Sequence, residues 1–357
     1  MPRARKDVFV MNPIAAALDQ FDIGMPVIAA NLTMFPLLLP GEDAPGYLTL
    51  DEALASGLAF VTEVSEAGSV PELLVKNLAP SPVLILDGEE LIGAKQNRIV
   101  NLTILVAAGQ TLRIPVSCVE AGRWAHRSRE FAAAGRAHFA TGRARKLQEV
   151  SCCMRMSGSR MADQGGVWDE IAEKASRMDA ESPTGAAAEM YERSRAKLDE
   201  FVAHLEPLPH QAGALFAING VVAGMDVFDS PATWRKSMRK LVHSYGLDAL
   251  DRAGEDAGRK PAPAAEDLTG TTPAAPAIEA QAAQTSQPAR FLAALKRTAA
   301  ERFPAIGLGE DVRIAGRFVA GGGLIVDGTL IHLVAFPATK PGRRTTRATR
   351  EPMEEVY

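Results

Sequence analysis

Two clusters of polar side chains lie close together in the chain, between Pro82 and Trp124, and each adjoins an apolar run. The members of the first cluster are Glu89, Glu90, Lys95, Gln96, Asn97 and Arg98, and those of the second are Ser117, Cys118, Glu120, Arg123 and Trp124. Together they offer carboxylates for proton transfer, a thiol nucleophile, cationic donors for anions and an aromatic surface for stacking. These residue types predict a functional site in this stretch without selecting a reaction.

Glu89 and Glu90 follow an apolar strand and an Asp-Gly turn. Paired carboxylates can split their pKa values and act as acid and base, or they can hold a divalent metal. Because successive residues of an extended chain point to opposite sides, we expect only one of the two to face a pocket. Solvation of both carboxylates at the surface is an equally good interpretation.

The four residues Lys95, Gln96, Asn97 and Arg98 stand between Gly93 and the next predicted strand. Glutamine and asparagine supply directional donors and acceptors, and arginine supplies a planar fork that suits carboxylate or phosphate. This composition favours ligand contacts. A polar turn held by its own hydrogen bonds would have the same composition.

The second cluster also has two interpretations. Cys118 is a candidate nucleophile, with His126 as the nearest base in the sequence, but a buried cysteine in an apolar strand is the commoner case. Glu120, Arg123 and Trp124 combine a charge pair with an aromatic platform, which would suit a nucleobase or a ribose. An Arg-Glu bridge beneath a core tryptophan explains the same three residues.

A basic run with a helical pattern begins at this point of the chain. Its members are Arg123, His126, Arg127, Arg129, Arg136, His138, Arg143, Arg145 and Lys146. A solvated helical face is the leading interpretation of such a run. The alternative is a local wall that attracts anions.

The composition excludes several classes of protein. The 357 residues carry a formal net charge of −4, so no overall basic field points to nucleic acid or to an anionic membrane. Three cysteines, of which Cys152 and Cys153 are adjacent, favour a reducing compartment over a disulfide framework. The first residues lack the apolar core of an export signal, and no apolar run is long enough to span a bilayer. We therefore expect a cytoplasmic protein with neither a nucleic-acid nor a membrane partner.

Turn signals between short apolar segments predict the strand pairing. The pattern predicts one hairpin between 100–106 and 111–119, in which Pro115 marks an edge or a bulge. It predicts another over 212–228, with Asn219-Gly220 as a type I′ turn. Short strands with turns between them favour antiparallel pairing over parallel crossovers.

Helix signals complete the predicted fold. Thr49 and Ser230 have the position and chemistry of helix N-caps, and Gly57 of a helix terminator. Further helical patterns follow Trp124. The predicted class is α+β, with a sandwich-like antiparallel β-sheet core and helices inserted after the central strands.

The composition also divides the chain. We expect an α+β domain over 14–250, a disordered Ala/Pro-rich linker over 251–288, a short helix with strands that rejoin the core over 289–337, and a polar mobile tail over 338–357.

Common cofactor motifs do not occur in the sequence. There is no Gly-x-Gly-x-x-Gly before a helix, no Walker loop, no His-Glu-x-x-His and no Cys-x-x-Cys. The sequence therefore predicts no metal site and identifies no cofactor.

The segments 88–98 and 114–124 resemble the ARG and Rhodanese-Phosphatase-superfamily-associated Protein domain, where ARG stands for ADP-ribosylglycohydrolase. The resemblance spans about 14–250 and 329–336, and it includes three other segments, 62–64, 69–73 and 213–228. It implies a place in ADP-ribose or nicotinamide-nucleotide metabolism, with ADP-ribose-processing or phosphatase proteins as partners. An association of this kind describes neighbours rather than chemistry.

The leading hypothesis is a site for an ADP-ribose-like or other phosphorylated nucleotide. In it Lys95, Arg98 and Arg123 bind phosphate, Gln96 and Asn97 orient the sugar, Trp124 stacks on the base, Glu90 contributes to binding, and Glu89, Glu120 or Cys118 takes part in catalysis. If the protein is an enzyme, the implied class is a hydrolase or transferase. The alternative is a non-catalytic ligand-binding or adaptor module that recognises a partner protein.

Overall fold

The structure is a computed structural model that describes residues 13–41, 44–65, 69, 71–125, 128–253 and 275–338, with the backbone alone for 275–285. Within these ranges, the strands are β1 (Asp22–Ile23), β2 (Val27–Ala29), β3 (Leu32–Leu38), β4 (Leu48–Thr49), β5 (Ala59–Glu63), β6 (Glu72–Asn77), β7 (Val83–Ile85), β8 (Glu89–Gly93), β9 (Arg98–Val100), β10 (Ile104–Val106), β11 (Thr111–Cys118), β12 (Phe131–Ala137), β13 (Gln211–Ile218), β14 (Val221–Phe228), β15 (Ala300–Pro304), β16 (Glu310–Ala315), β17 (Val319–Val326) and β18 (Thr329–Pro337). The helices are α1 (Pro13–Leu18), α2 (Leu50–Ala55), α3 (Ala140–Ser157), α4 (Gln164–Arg177), α5 (Ala188–Arg193), α6 (Arg195–His204), α7 (Pro231–Asp251) and α8 (Ala275–Arg297).

The largest sheet has nine strands in the order β1-β3-β13-β14-β18-β17-β16-β15, with β2 also paired to β3. Alternate residues of β13 enter two different cores: Phe216 packs with α7 on one face, while Leu215 and Ala217 pack on the other face in the core that α1 and α8 also enter. The predicted β13–β14 hairpin is confirmed. Asn219 and Gly220 have φ values of 51° and 74°, as a type I′ turn requires.

Two smaller sheets enclose a separate core. The six-stranded sheet has the order β12-β8-β9-β11-β6-β5, and the three-stranded sheet has the order β10-β7-β4. Apolar residues of both, such as Val75 and Ile114 from the first and Ile85 and Ile104 from the second, pack into one cluster. The predicted α+β class with antiparallel sheets is therefore confirmed, and the two-residue pairing of β4 with β7 is the one parallel pair among the described strands.

The predicted hairpin between 100–106 and 111–119 forms only in part. Val100 pairs with Val116, but residues 104–106 pair with β7 instead. The chain leaves the ladder at Asn101, whose side-chain amide donates to the Arg160 carbonyl and whose side-chain oxygen accepts from Ser117. These tertiary hydrogen bonds have no local sequence signal. At Pro115, β11 changes its partner from β6 to β9.

Both predicted helix caps are present. Thr49 and Glu52 form a reciprocal capping box at the start of α2, and Gly57 follows that helix with a φ of 65°. Ser230 accepts a hydrogen bond from the Ala232 amide at the start of α7. The helices α3 to α6 follow β12, as the predicted insertion after the central strands requires.

Part of the predicted domain division lies outside the described residues. This applies to 254–274 within the predicted linker over 251–288 and to nearly all of the predicted tail over 338–357. The backbone of α8 begins at Ala275, within the linker range. The division into segments stays a prediction. In the described part of the chain, none of the helices combines the length and the hydropathy that crossing a membrane requires.

Candidate functional site

The two polar clusters meet around the Glu120 carboxylate. Its Oε2 accepts hydrogen bonds from the backbone N–H of Asn97 at 3.2 Å and from Arg123 Nη2 at 2.7 Å. Its Oε1 accepts one from Thr184 Oγ1 at 3.0 Å. Arg123 Nη2 also donates to Asn97 Oδ1 at 3.1 Å. The structure therefore brings Asn97, Glu120 and Arg123 together, and it contains the predicted Arg-Glu bridge.

These contacts decide the protonation of Glu120. Burial alone would raise the pKa of this carboxyl, but hydrogen bonds from Arg123, Asn97 and Thr184 outweigh burial and lower the pKa below its usual value. A carboxylate that is held ionised by such partners is a weak proton acceptor. In the structure Glu120 fixes the turn that carries Asn97.

Gln96, Arg98 and Cys118 form a second buried group beside this turn. Gln96 Oε1 accepts hydrogen bonds from Arg98 Nη1 at 2.7 Å and from Cys118 Sγ at 3.1 Å. Arg98 is fully buried, forms no salt bridge with a described residue, and has no described partner for its Nε and Nη2 atoms. Burial raises the pKa of the Cys118 thiol, which keeps the thiol protonated at neutral pH. His126, the base predicted for it, lies outside the described residues.

Trp124 lies at the surface above these residues. Its side chain is 48% exposed, with Lys95 Nζ at 5.1 Å and Arg98 Cζ at 5.8 Å from the ring centroid. These are cation–π distances. Trp124 is thus an accessible aromatic surface and not the core tryptophan of the alternative interpretation.

Glu89 and Glu90 point to different partners, and both are buried. Lys240 Nζ donates to Glu89 Oε1 at 2.5 Å and also pairs with Asp51 at 2.6 Å. Arg136 binds Glu90 with two hydrogen bonds, from Nε at 2.7 Å and from Nη2 at 3.0 Å. Burial raises the pKa of Glu89, against the opposing effect of Lys240. Surface solvation of this pair is therefore wrong, because each carboxylate holds a buried cation.

Two adjoining cavities open beside β12. The larger, which we name the apolar cleft, has a volume of about 910 Å³ and is lined by α2, β5, β8, β12, α5 and the loops next to them. Its lining side chains are Asp51, Leu54, Ala55, Ala59, Phe60, Ile92, Asn97, Ser128, Glu130, Phe131, Ala132, Ala133, Arg136, Ala188 and Glu192. The smaller, which we name the basic chamber, has a volume of about 380 Å³ and lies between β12 and α5 to α7. Asp51, Gly135, Arg136 and Glu192 line both.

Six of the twelve residues that line the basic chamber carry lysine, arginine or histidine side chains. These are Arg136, Arg195, Lys236, Arg239, Lys240 and His243, against two acidic residues, Asp51 and Glu192. Carboxylates hold the cations in place and offset their charge. Each of the five lysines and arginines has a carboxylate partner, as Lys236 has Glu52 at 2.6 Å and Arg239 has Asp199 at 2.8 Å. Burial lowers the pKa of His243, so its ring is neutral at pH 7.

Of the predicted site residues, Asn97 is the one that lines either of these two cavities. Glu89 and Glu90 do not line the basic chamber, but they bind Lys240 and Arg136, which do. The sequence prediction missed the cations of α7, although Lys236, Lys240 and His243 follow one another at helical spacing. That spacing places the three side chains on one face of the helix and is the signal that could have indicated them.

The basic run does not form a solvated helical face. Arg143 and Lys146 of α3 are completely buried, and Arg136 lies in β12 with only 9% exposure. Buried acids explain this difference: Lys146 pairs with Asp87 at 3.0 Å, and Arg143 pairs with an aspartate of β14. The prediction was wrong for these residues because their partners are far away in the sequence.

The described residues contain no cluster of three or more histidine, cysteine, aspartate or glutamate side chains that could hold a metal ion. The buried carboxylates around the chamber are bound to lysine and arginine instead.

Comparison with known families identifies the domain. The ARG and Rhodanese-Phosphatase-superfamily-associated Protein domain matches residues 20–336. The chain belongs to this family. The match contains both polar clusters and both cavities. It also includes residues 251–328, between the two ranges that resemble the family in the sequence. No curated protein and no solved structure matches the chain.

Proposed function

We propose that the chain binds a phosphorylated nucleotide ligand of the ADP-ribose class in the apolar cleft and the basic chamber together. The observation that carries this proposal is the junction of the two cavities at Arg136, Gly135, Asp51 and Glu192. ADP-ribose has an aromatic base at one end and a diphosphate between its two riboses, so two such compartments side by side suit its base and its phosphates.

The basic chamber supplies the donors for phosphate. Arginine carries five N–H donors in a planar fork, and Arg239 donates to Asp199 with one of its terminal nitrogens. Arg136 is held by two hydrogen bonds to Glu90, so its orientation is fixed before any ligand arrives. Preorganised donors lose little conformational entropy on binding.

The apolar cleft supplies the surface for the base and the sugar. Its volume of about 910 Å³ lies within the range of small-molecule sites, and Leu54, Phe60 and Phe131 give it an apolar wall. Asn97 provides an amide in the lining of the cleft, and the Glu120–Arg123 pair fixes its position. In this proposal Gln96, Arg98 and Cys118 support the turn that carries Asn97, and Lys95 packs on Trp124 next to that turn.

We propose binding rather than hydrolysis or transfer as the function. Glu120 is held ionised by Arg123, Cys118 is buried and protonated, and Glu89 is bound to Lys240. None of the three lines either cavity. The family's description links the domain to ADP-ribosylglycohydrolase and phosphatase-superfamily proteins, and such enzymes are the partners we propose for it.

Thermal unfolding of the full chain with ADP-ribose, NAD, AMP or inorganic phosphate tests the proposal. A ligand at a hundred times its dissociation constant stabilises a fold by about 2.7 kcal/mol, which gives a clear rise in Tm. We expect the rise with ADP-ribose to shrink in Lys236→Ala and Arg239→Ala, each with about tenfold weaker binding. Arg302→Ala removes an exposed arginine of β15 and should bind like the parent. A panel without any rise in Tm would contradict the nucleotide proposal.

A turnover assay separates binding from processing. The chain is incubated with ADP-ribose and NAD, and product is sought beside the variants Glu89→Gln and Glu120→Gln. We expect ligand binding without product. If the parent chain forms product and either variant does not, the protein is a hydrolase or transferase.

A further inference from the structure

Arg98 differs from the other buried lysines and arginines in the described part of the chain. Eight such cations are buried there, and seven of them form an ion pair with a carboxylate. The seven are Arg123, Arg136, Arg143, Lys146, Lys174, Lys240 and Arg313. Arg98 is 0% exposed and forms no ion pair with a described residue. A buried charge is costly without a counterion, so Arg98 is the exception among these cations.

One edge of the Arg98 guanidinium has donors that no side chain uses. Nη1 donates to Gln96 Oε1 at 2.7 Å, whereas Nε and Nη2 are buried and have no acceptor among the described residues. In Arg136 the same two atoms, Nε and Nη2, donate to the two carboxylate oxygens of Glu90 at 2.7 and 3.0 Å. The free edge of Arg98 therefore has the donor arrangement that holds a carboxylate elsewhere in this protein.

Glu63 lies near Arg98 but is farther from it than an ion pair allows. Burial lowers the pKa of the Arg98 guanidinium, and the charge of Glu63 is among the effects that oppose this shift. Glu63 Oε1 accepts a hydrogen bond from the Lys95 backbone N–H at 3.4 Å instead. Because one negative charge is already close, the free edge of Arg98 suits an anion of a single charge better than a doubly charged phosphate.

The position of Arg98 limits the size of an anion that could reach it. Arg98 lines neither the apolar cleft nor the basic chamber. The ring of Trp124, whose centroid is 5.8 Å from Arg98 Cζ, is 48% exposed, so one side chain separates the guanidinium from solvent. An anion of a few atoms can pass this ring, whereas a nucleotide would need a cavity that Arg98 does not line.

We infer that the free edge of Arg98 binds a small monocarboxylate of the size of formate or acetate. Its two oxygens accept hydrogen bonds from Nε and Nη2, as the oxygens of Glu90 do from Arg136, and Trp124 covers the bound anion. The carboxylate is the counterion that the other seven buried cations obtain from side chains. This site is separate from the proposed nucleotide site and does not depend on it.

Thermal unfolding of the full chain tests the inference, with potassium chloride replaced stepwise by potassium acetate at constant ionic strength so that screening does not change. We expect a rise in Tm that saturates with acetate and a smaller rise with inorganic phosphate. Arg98→Lys keeps the charge but loses the two-point edge, so its affinity for acetate should fall about tenfold or more. Arg113→Lys, a change at an exposed arginine of β11, is the matched control. A parent chain without a saturable response, or an unchanged response in Arg98→Lys, would overturn the inference.

Glu63→Gln distinguishes a bound anion from an ion pair within the chain. This change removes a negative charge near the free edge, so we expect acetate to bind about two- to fivefold more tightly than it binds the parent chain. If Glu63 is itself the counterion of Arg98, the parent chain should not respond to acetate and only the variant should. That result would overturn the inference.

Intermolecular nuclear Overhauser effects locate the anion. We expect them between the methyl protons of acetate and the ring protons of Trp124, and effects confined to residues that line the two cavities would overturn the inference. Lys236→Ala, which should weaken ADP-ribose binding, should leave acetate binding unchanged. Acetate binding without any response to ADP-ribose would reject the proposed nucleotide function and leave the Arg98 site standing. The reverse result would reject the Arg98 site alone.

Discussion

Arg143 of α3 and Asp226 of β14 form a two-point ion pair with neither side chain accessible to solvent. Arg143 Nη2 donates to Asp226 Oδ1 at 2.5 Å, and Nη1 donates to Oδ2 at 3.2 Å. Tyr245 also donates to Asp226 Oδ2 at 2.8 Å. The pair joins the helix that follows β12 to the nine-stranded sheet, and Arg143 lies 3.5 Å from Asp87, next to the strand that carries Glu89 and Glu90.

Removal of the Asp226 charge should be strongly destabilising. Asp226→Asn keeps the shape of the side chain but leaves the buried Arg143 without its two-point partner and with Asp87 alone at 3.5 Å, and we expect a loss of about 3–5 kcal/mol in the free energy of unfolding. Urea unfolding measures this loss. Glu72→Gln, which breaks the exposed Arg113–Glu72 pair, is the control and should cost less than about 1 kcal/mol. Equal stability of the two variants would show that the buried pair has no such role.

Gly88 should not tolerate a side chain. Its φ is 77°, and a Cβ at this position would lie 2.8 Å from Arg143 Cγ, which the ion pair prevents from moving. Gly109 has a similar φ of 69°, but a Cβ there would meet nothing within 4 Å. We expect Gly109→Ala to cost about 1–2 kcal/mol through backbone strain alone, and Gly88→Ala about 1–3 kcal/mol more through the clash. Similar unfolding free energies for the two would contradict the close packing of Gly88 against Arg143.

Asp229 should make stability depend on pH between about 4 and 6. Burial raises the pKa of its carboxyl from 3.8 to about 6, although a hydrogen bond from Tyr47 opposes the shift. Because the folded state favours the protonated form, the resulting stability is complete below the unfolded pKa and is lost as the pH rises through 6. Asp229→Asn cannot titrate, so it should gain stability relative to the parent over this interval, by up to about 3 kcal/mol at 1.36 kcal/mol per pKa unit.

Urea unfolding at several pH values measures the difference between Asp229→Asn and the parent chain. Tyr47→Phe removes the donor to the ionised form and should move the midpoint of the pH dependence upward. A difference that stays constant from pH 4 to 7 would show that Asp229 titrates normally in the fold.

Loss of Glu192 should strengthen anion binding. Its carboxylate lines both cavities and pairs with Arg136 at 3.3 Å and with Arg195. Glu192→Gln removes a negative charge beside the proposed phosphate position and frees Arg195 and one nitrogen of Arg136, so we expect about two- to fivefold tighter binding of ADP-ribose. Glu301→Gln, an exposed change near Arg155, is the control. Weaker binding in Glu192→Gln would place the phosphate outside the chamber.

Features encoded by a few neighbouring residues were predictable from the sequence. The Asn219-Gly220 turn, the Thr49 capping box and the Ser230 cap each depend on residues within three or four positions of one another, and each is present. The hairpin between 100–106 and 111–119 forms only at the end far from its turn, where Val100 pairs with Val116, since the pairing of β10 with β7 depends on contacts that periodicity does not encode. The polar clusters were predicted as neighbours, and Glu120 joins them through Asn97 and Arg123.

The sequence by itself determined the α+β class, the local turns and caps, and the polar stretch beside which the cavities lie. The tertiary structure decided which charges are buried and which face a cavity. Lys240 of α7 meets Glu89, and Arg136 of β12 meets Glu90, across sequence separations of 151 and 46 residues. A charged side chain enters the interior only when a partner is present there, and that partner is set by chain topology rather than by spacing in the sequence. For this reason Arg143 and Lys146 were assigned to a solvated face, while the cations that line the chamber were missed.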